Sequence, residues 1–344
     1  MKTSDPPIII FKDDDTTHPN RFNIFNRCNA ANDILSESTL PARQRKPPKA
    51  KALPQSPASF TATIDRDGRC ELARSGARLF PYWSFTKPVI AALALMLEAE
   101  GGLDLRAPLD LPELPGGITL ARLLDHSAGL PDYGTLPDYH ADVAAGRAPW
   151  PRDLLVARVL AQHSRDEWRY SNLGYLLARE AIERAACRGL AELVRDRIAG
   201  PLGLESVRLA EAPADFAELH WPEARDYHPG WVYHRTLIGT AGDAARLLRG
   251  LSDLLSQDAF ARMTACRELG GALPERPWTR HGYGLGLMCG DWGETRVFGH
   301  SGAGLFSANA VYHCPETGRT VAAFTHGPFE GPAEIAVAKL VAGR

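Results

Sequence analysis

Apolar positions recur along this chain with two periods, and the switch between them marks out its organisation. Phe60-Thr61-Ala62-Thr63-Ile64 and Cys70-Glu71-Leu72-Ala73-Arg74 flank the polar Asp65-Arg66-Asp67-Gly68, and that pattern predicts a β-hairpin. Val89 to Leu97 is continuously apolar before Gly101-Gly102 stops it, which predicts a helix opening near Ser84. From about residue 118 to 262 the apolar spacing is i, i+3/i+4, over Leu120 to Asp125, Pro151 to Gln162, Ser171 to Cys187, Leu190 to Ile198 and Ala241 to Leu255. Strand patterns return at Tyr283 to Cys289, Thr295 to Gly299, Leu305 to His313 and Arg319 to Thr325, and a closing helix is expected from about Ala333 to Val341.

Strands at both ends with helices between them predict an α/β (α+β) fold. One antiparallel sheet is built from N- and C-terminal strands, flanked by helices and interrupted by a mostly helical inserted subdomain. The sheet part is expected over residues 56–105 and 281–344 and the helical part over 106–280, with a cleft at their junction. Residues 1–55 read differently. They hold five of the seven lysines and five of the seven asparagines and lead into a Pro/Lys/Arg/Gln/Ser stretch from Pro41 to Pro57, which predicts a disordered extension and linker.

Composition narrows the partners. A net charge of −2 with 23% charged residues gives no electrostatic footprint for nucleic acid. The longest apolar run is far below the ~20 residues that span a bilayer. Pro6-Pro7-Ile8-Ile9-Ile10-Phe11 runs into Lys12-Asp13-Asp14-Asp15 rather than a cleavage site, so no export signal is evident and a cytoplasmic location is expected. Cys28, Cys70, Cys187, Cys266, Cys289 and Cys314 show no C-x-x-C spacing, so reduced thiols are the default, with neither a disulfide frame nor a zinc site signalled. The eleven histidines show no metal-binding spacing either, and no metal or other cofactor is expected. A small-molecule substrate is the expected partner.

Candidate chemistry begins with lysine usage. Thirty-two of the thirty-nine cationic residues are arginine, and between Lys51 and Lys339 the single lysine is Lys87, in Ser84-Phe85-Thr86-Lys87. Arginine does not release its proton in a protein, whereas burial and neighbouring cations bring lysine toward its neutral form. A spacing of three residues on a helical turn places that amine beside the Ser84 hydroxyl. S-x-x-K is weak alone, but Pro88 is tolerated only in a first turn, which puts Ser84 at a helix N-terminus where free N–H groups favour an oxyanion. Tyr170, in Arg169-Tyr170-Ser171-Asn172 just ahead of a predicted helix, is the candidate for passing protons to a leaving group. His300-Ser301-Gly302-Ala303 ends a predicted strand, where small residues allow close approach and the Ala303 N–H is a candidate second oxyanion donor.

In this order S-x-x-K, Y-x-N and H-x-G resemble the three motifs of serine hydrolases similar to class C β-lactamases. Leu123 to Leu130 (LLDHSAGL) is similar to that family's L-L-x-H-x-S-G-L segment, with Ala128 where serine is usual. Tyr170 to Tyr175 (YSNLGY), Pro201 to Leu204 (PLGL) and Tyr283 to Gly286 (YGLG) also resemble family landmarks, and the resemblance covers nearly everything after residue 58. It implies a β-lactamase/transpeptidase-like fold, Ser84 as the acylated nucleophile, Lys87 as its proton acceptor and Tyr170 as the shuttle. It also implies Asn172 on the substrate's acyl side, a substrate-binding strand at His300, Ser301 and Gly302, and an oxyanion hole from the Ser84 and Ala303 N–H groups. The family includes β-lactamases, penicillin-binding D,D-peptidases, D-amino-acid amidases and carboxylesterases. Histidine stands where β-lactamases and D,D-peptidases usually carry lysine, so an esterase or related acyl hydrolase on small ester, amide or lactam substrates is expected. A D,D-peptidase or β-lactamase is the alternative, and a non-catalytic scaffold is a second one.

Overall fold

The alternation along the C-terminal strands builds a sheet with two different faces. The computed structural model describes residues 59–114, 116–162 and 167–342; the extension expected over residues 1–55 lies outside them. Eight strands form one antiparallel sheet: β1 (Phe60–Ile64), β2 (Cys70–Ala73), β6 (Arg267–Gly270), β7 (Arg280–Tyr283), β8 (Met288–Trp292), β9 (Thr295–Ala303), β10 (Ser307–Cys314) and β11 (Arg319–His326). Their order is β2-β1-β11-β10-β9-β8-β7-β6, so the N-terminal hairpin joins the C-terminal meander through the β1–β11 pairing, Phe60 opposite Phe324. Three short strands, β3 (Phe80–Pro81), β4 (Arg208–Leu209) and β5 (Leu237–Gly239), make a second small sheet.

Neighbouring positions on β10 and β11 face opposite ways. Val311, Ala322 and Phe324 enter the main core, whereas Ala310, Tyr312, Val321 and Ala323 enter a second cluster under helix α10 (Gly331–Val341). Helix α1 (Lys87–Ala99) lies within the main core, with every residue from Lys87 to Leu95 buried. A helix apolar all round is stable only when protein covers every side.

The remaining helices are α2 (Leu120–Leu124), α3 (Pro137–Ala144), α4 (Arg152–Leu160), α5 (Asn172–Ala186), α6 (Leu190–Val194), α7 (Pro213–Ala217), α8 (Ala241–Leu254) and α9 (Gln257–Thr264). Helix α5 starts at its Ser171 cap, whose Oγ accepts from Gly174 N at 3.0 Å, and ends at Cys187 in the left-handed region. Among the described residues no helix is long and apolar enough to cross a membrane.

Three expectations differ from what is observed. The strand expected over Tyr283 to Cys289 is a hairpin, β7 turning into β8, because Gly284 and Gly286 allow the chain to fold back; at Gly286 φ is +72° and a Cβ would lie 2.8 Å from the Lys87 carbonyl oxygen. The sheet reaches back to Arg267, so the boundary placed at residue 281 falls inside β7. The expectation of reduced thiols fails at one pair: Cys266 and Cys289 form a disulfide that ties the start of β6 to β8. A separation of 23 residues with no short motif left no trace in the spacing.

Candidate active site

Ser84 lies in a 3-10 turn, Trp83–Thr86, that runs directly into α1. Trp83 adopts φ +46°, a conformation that costs a bulky residue about 1–3 kcal/mol and persists only where its surroundings impose it. Here the surroundings are specific. The Trp83 indole Nε1 donates to Ser307 Oγ at 3.0 Å, and Asn309 Nδ2 donates to the Tyr82 carbonyl at 2.9 Å, so β10 holds the turn from below. The end of strand β9 and the residue after it come as close from the side: a Cβ on Gly304 would lie 2.4 Å from the Trp83 ring, and one on Gly302 would lie 2.7 Å from Ser84 N. Only glycine fits at either position.

Two side chains, Lys87 and Tyr170, converge on the Ser84 hydroxyl, and Asn172 reaches it through the lysine. Lys87 Nζ is 2.9 Å from Ser84 Oγ, and Tyr170 OH is 3.1 Å from it. Lys87 also donates to Asn172 Oδ1 at 2.7 Å. The Asn172 amide is oriented in turn by Asp132, whose carboxylate accepts from Asn172 N at 2.9 Å and from Asn172 Nδ2 at 3.2 Å. That leaves the amide oxygen turned toward the lysine.

Burial sets the protonation states. Lys87 is fully buried, and desolvation lowers its pKa to about 7 against the opposing pull of Asp132 and Glu330. Desolvation pushes Tyr170 well above the usual phenol range, so it remains protonated. At and above neutrality Ser84 is therefore flanked by a group able to take a proton, the amine, and a group able to give one, the phenol.

The third sequence segment divides between the two faces of the sheet. His300 pairs across β9–β10 with Val311 and Ser301 pairs with Ala310, so the two side chains point in opposite directions. The Ser301 hydroxyl lies on the α10 side, hydrogen-bonded to Tyr312 OH at 2.7 Å and to Glu334. It was expected to bind substrate; the geometry turns its side chain away from the cleft. His300 is on the Ser84 side but only 1% exposed. Its Nδ1–H donates to the Ser301 carbonyl, so its Nε2 accepts from Tyr283 OH at 2.9 Å. Both ring nitrogens are engaged, and desolvation together with Lys87 holds the ring well below the usual imidazole pKa. A ring expected to meet substrate instead buttresses the strand.

Ser84, Asn172, Ala303, Gly304 and Leu305 line a solvent-open cleft, together with Trp83, Tyr133, Tyr139 and Tyr227. Ser84 and Ala303, the expected oxyanion pair, thus border the same space. Among the described residues no cluster of His, Cys, Asp or Glu is arranged to hold a metal ion.

Sequence reasoning missed Asp132 and His234. His234 lines the cleft and places Nε2 3.4 Å from Lys87 Nζ, although 147 residues separate them. Its apolar lead-in, Trp231-Val232-Tyr233, hints at burial, but no spacing links it to Lys87. Asp132 follows the LLDHSAGL segment by two residues, and a carboxylate in so apolar a stretch was the available signal.

Several known proteins resemble this chain in sequence and fold. The chain is 30% identical over 164 residues to Penicillin-binding protein 4* of Bacillus subtilis (strain 168), covering 45% of this chain and 35% of that protein. It is 29% identical over 229 residues to a D-aminopeptidase of Brucella anthropi, covering 64% and 43%. The chain therefore spans well under half the length of these two relatives. A D-stereospecific amidohydrolase from Streptomyces sp. superposes with a TM-score of 0.70 at 25% identity, covering 84% of this chain and 95% of that one. A family model described as Beta-lactamase matches residues 67–343, most of the chain, and the chain belongs to that family.

Proposed function

We propose that this chain is a serine hydrolase that works through an acyl-enzyme on Ser84 and acts on small esters and amides. The observation that carries this reading is the Ser84 hydroxyl held between Lys87 Nζ at 2.9 Å and Tyr170 OH at 3.1 Å. Ser84 Oγ attacks the substrate carbonyl while its proton passes to the neutral Lys87 amine. The Tyr170 phenol gives its proton to the leaving alkoxide or amine and recovers one from the Lys87 ammonium. Deacylation repeats the sequence with water as nucleophile. The N–H groups of Ser84 and Ala303 stabilise the oxyanion.

The aromatic side chains of Trp83, Tyr133, Tyr139 and Tyr227 suit an apolar acyl group. Histidine rather than lysine at position 300, buried and neutral, gives no fixed charge for a substrate carboxylate, which favours neutral esters and amides over β-lactams and peptidoglycan peptides. The D-aminopeptidase and the D-stereospecific amidohydrolase among the similar proteins favour a second reading within the same chemistry, hydrolysis of amides of D-amino acids.

A fluorophosphonate should label Ser84 alone, read by peptide mapping. Turnover of a p-nitrophenyl ester should disappear in Ser84→Ala. A label on Ser127, Ser171 or Ser301 with Ser84 unmodified would overturn the assignment, and absence of turnover of esters, D-amino-acid amides and nitrocefin alike would leave a binding scaffold. The same three substrates rank the ester, amide and lactam readings.

A further inference from the structure

An amine that must receive a proton from Ser84 needs its lone pair aimed at that hydroxyl, and a lysine head group is a free rotor. Neutral Lys87 carries two N–H bonds and one lone pair, and three polar neighbours surround it: Ser84 Oγ at 2.9 Å, Asn172 Oδ1 at 2.7 Å and His234 Nε2 at 3.4 Å. Asn172 Oδ1 can only accept. If His234 Nε2 also accepts, both N–H bonds are used and the lone pair has one direction left, toward Ser84. The structure places a partner for the other ring nitrogen of this tautomer. His234 Nδ1 lies 3.5 Å from Tyr133 OH, a hydroxyl able to donate or accept; when it accepts an Nδ1–H, Nε2 is left bare toward Lys87. His234 is 3% exposed, so no bulk water competes for either contact.

We propose that His234, with Asn172, is a positioning residue that orients the Lys87 amine, and that Tyr133 acts through it by holding the Nδ1–H tautomer. This rests on the reading of Lys87 as the proton acceptor for Ser84 and extends the machinery to the far wall of the cleft. The same arrangement serves both protonation states. The ammonium donates to all three neighbours, and the amine donates to two and accepts from the third. Both contacts are long, at 3.4 and 3.5 Å, and catalytic hydrogen bonds often tighten only in the complex with substrate.

The electrostatic surroundings are compatible with a neutral imidazole. Burial, Lys87, His300, Arg179 and His126 all hold His234 well below the usual imidazole pKa. Around Lys87 the negative charges are Asp132 and Glu330, the rings of Tyr170 and Tyr175 lie 4.9 and 5.2 Å from Nζ, and His126 and His300 are held uncharged by burial.

Three variants test this, with melting temperature as the check on folding. His234→Phe keeps an aromatic ring and removes the acceptor; kcat and the fluorophosphonate acylation rate should fall about 10–100-fold with KM within about threefold. Its acid limb should move to lower pH, because the ammonium loses an acceptor that stabilised it. His234→Gln presents an amide oxygen near the old Nε2 position, and should recover the rate to within about threefold of wild type. Tyr133→Phe should lose about 3–10-fold in kcat. Should the Phe variant fail to fold, the glutamine and Tyr133 variants decide the matter. Equal damage in His234→Gln and His234→Phe, or a wild-type rate and acid limb in His234→Phe, overturns the proposal, as does an unaffected Tyr133→Phe. A wild type that acquires no label on Ser84 removes the function reading first, and this one with it.

Discussion

At the scale of single residues, burial decides what each group near Ser84 can do. Lys87, with its pKa lowered to about 7 by desolvation, gains catalytic competence as pH rises through neutrality, since the ammonium below that value has no lone pair to offer. The logarithm of kcat/KM for a neutral ester should therefore climb with pH and level off above about 7; a flat profile across that region would show that another group takes the Ser84 proton. Lys87→Arg should be nearly as damaging as Lys87→Ala, both costing roughly 10³-fold in kcat, because charge without a releasable proton does not replace an amine. His300 leads to an opposite expectation. Read from sequence alone it is an imidazole titrating near ~6.5 beside the substrate, but Tyr283 and the Ser301 carbonyl engage both nitrogens and desolvation keeps the ring neutral. The ratio of rates for a carboxylate-bearing and a neutral ester should then be constant through the ordinary histidine range. A step in that ratio centred near ~6.5 would put a charged ring back in the cleft.

At the scale of elements, what the sequence revealed was whatever repeats locally. Helix α5 was readable because an apolar i, i+3/i+4 stripe lies between a serine cap and a left-handed end, and the two motif residues Tyr170 and Asn172 sit at that cap. The β1–β2 hairpin carries its polar turn between two short strands, and β11 is a short continuous apolar run buried on both faces, which is enough to place them. Strands β3, β4 and β5 have two or three residues each, too short for any period, and β5 pairs with both of the others, β3 lying just ahead of Ser84. Contacts that depend on tertiary approach were equally silent, such as His234 on Lys87 or Ser301 on Glu334. The same holds for Cys266 and Cys289, whose bond secures the β6–β7–β8 edge that carries Tyr283 behind His300. Replacing both cysteines with serine should lower unfolding stability by about 2–4 kcal/mol in a denaturant titration, the usual effect of freeing a loop of this length. An unchanged midpoint would mean that the pairing of β6 with β7 holds the edge unaided.

At the scale of the whole molecule, the strand that lines the cleft is pinned from behind by one carboxylate. Glu334 on α10 is fully buried and gathers groups from across the sheet part: Arg276 Nε donates to it at 2.7 Å, Trp278 Nε1 at 3.2 Å and Tyr312 OH at 3.3 Å, with the Ser301 hydroxyl completing the set. These come from the β6–β7 connection, β10 and β9, so Glu334 couples the fold of the C-terminal helix to the position of the segment beside Ser84. Burial alone would push this carboxyl up; Arg276 and the other donors more than offset that and hold it below the usual carboxylate range. A folded pKa below the unfolded one contributes stability that is present above the unfolded value and is lost as pH falls through the folded value. Arg276→Met reverses the sign. The buried carboxyl then loses its cation, its pKa rises above the unfolded value, and ionising it at neutral pH costs about 3–5 kcal/mol. That cost fades as acid neutralises the group. Denaturant midpoints of wild type and Arg276→Met should therefore lie far apart at neutral pH and converge as pH falls toward ~4. A separation that stayed constant across that range would show that Arg276 acts through packing alone and that Glu334 is not the charge holding β9 against α10.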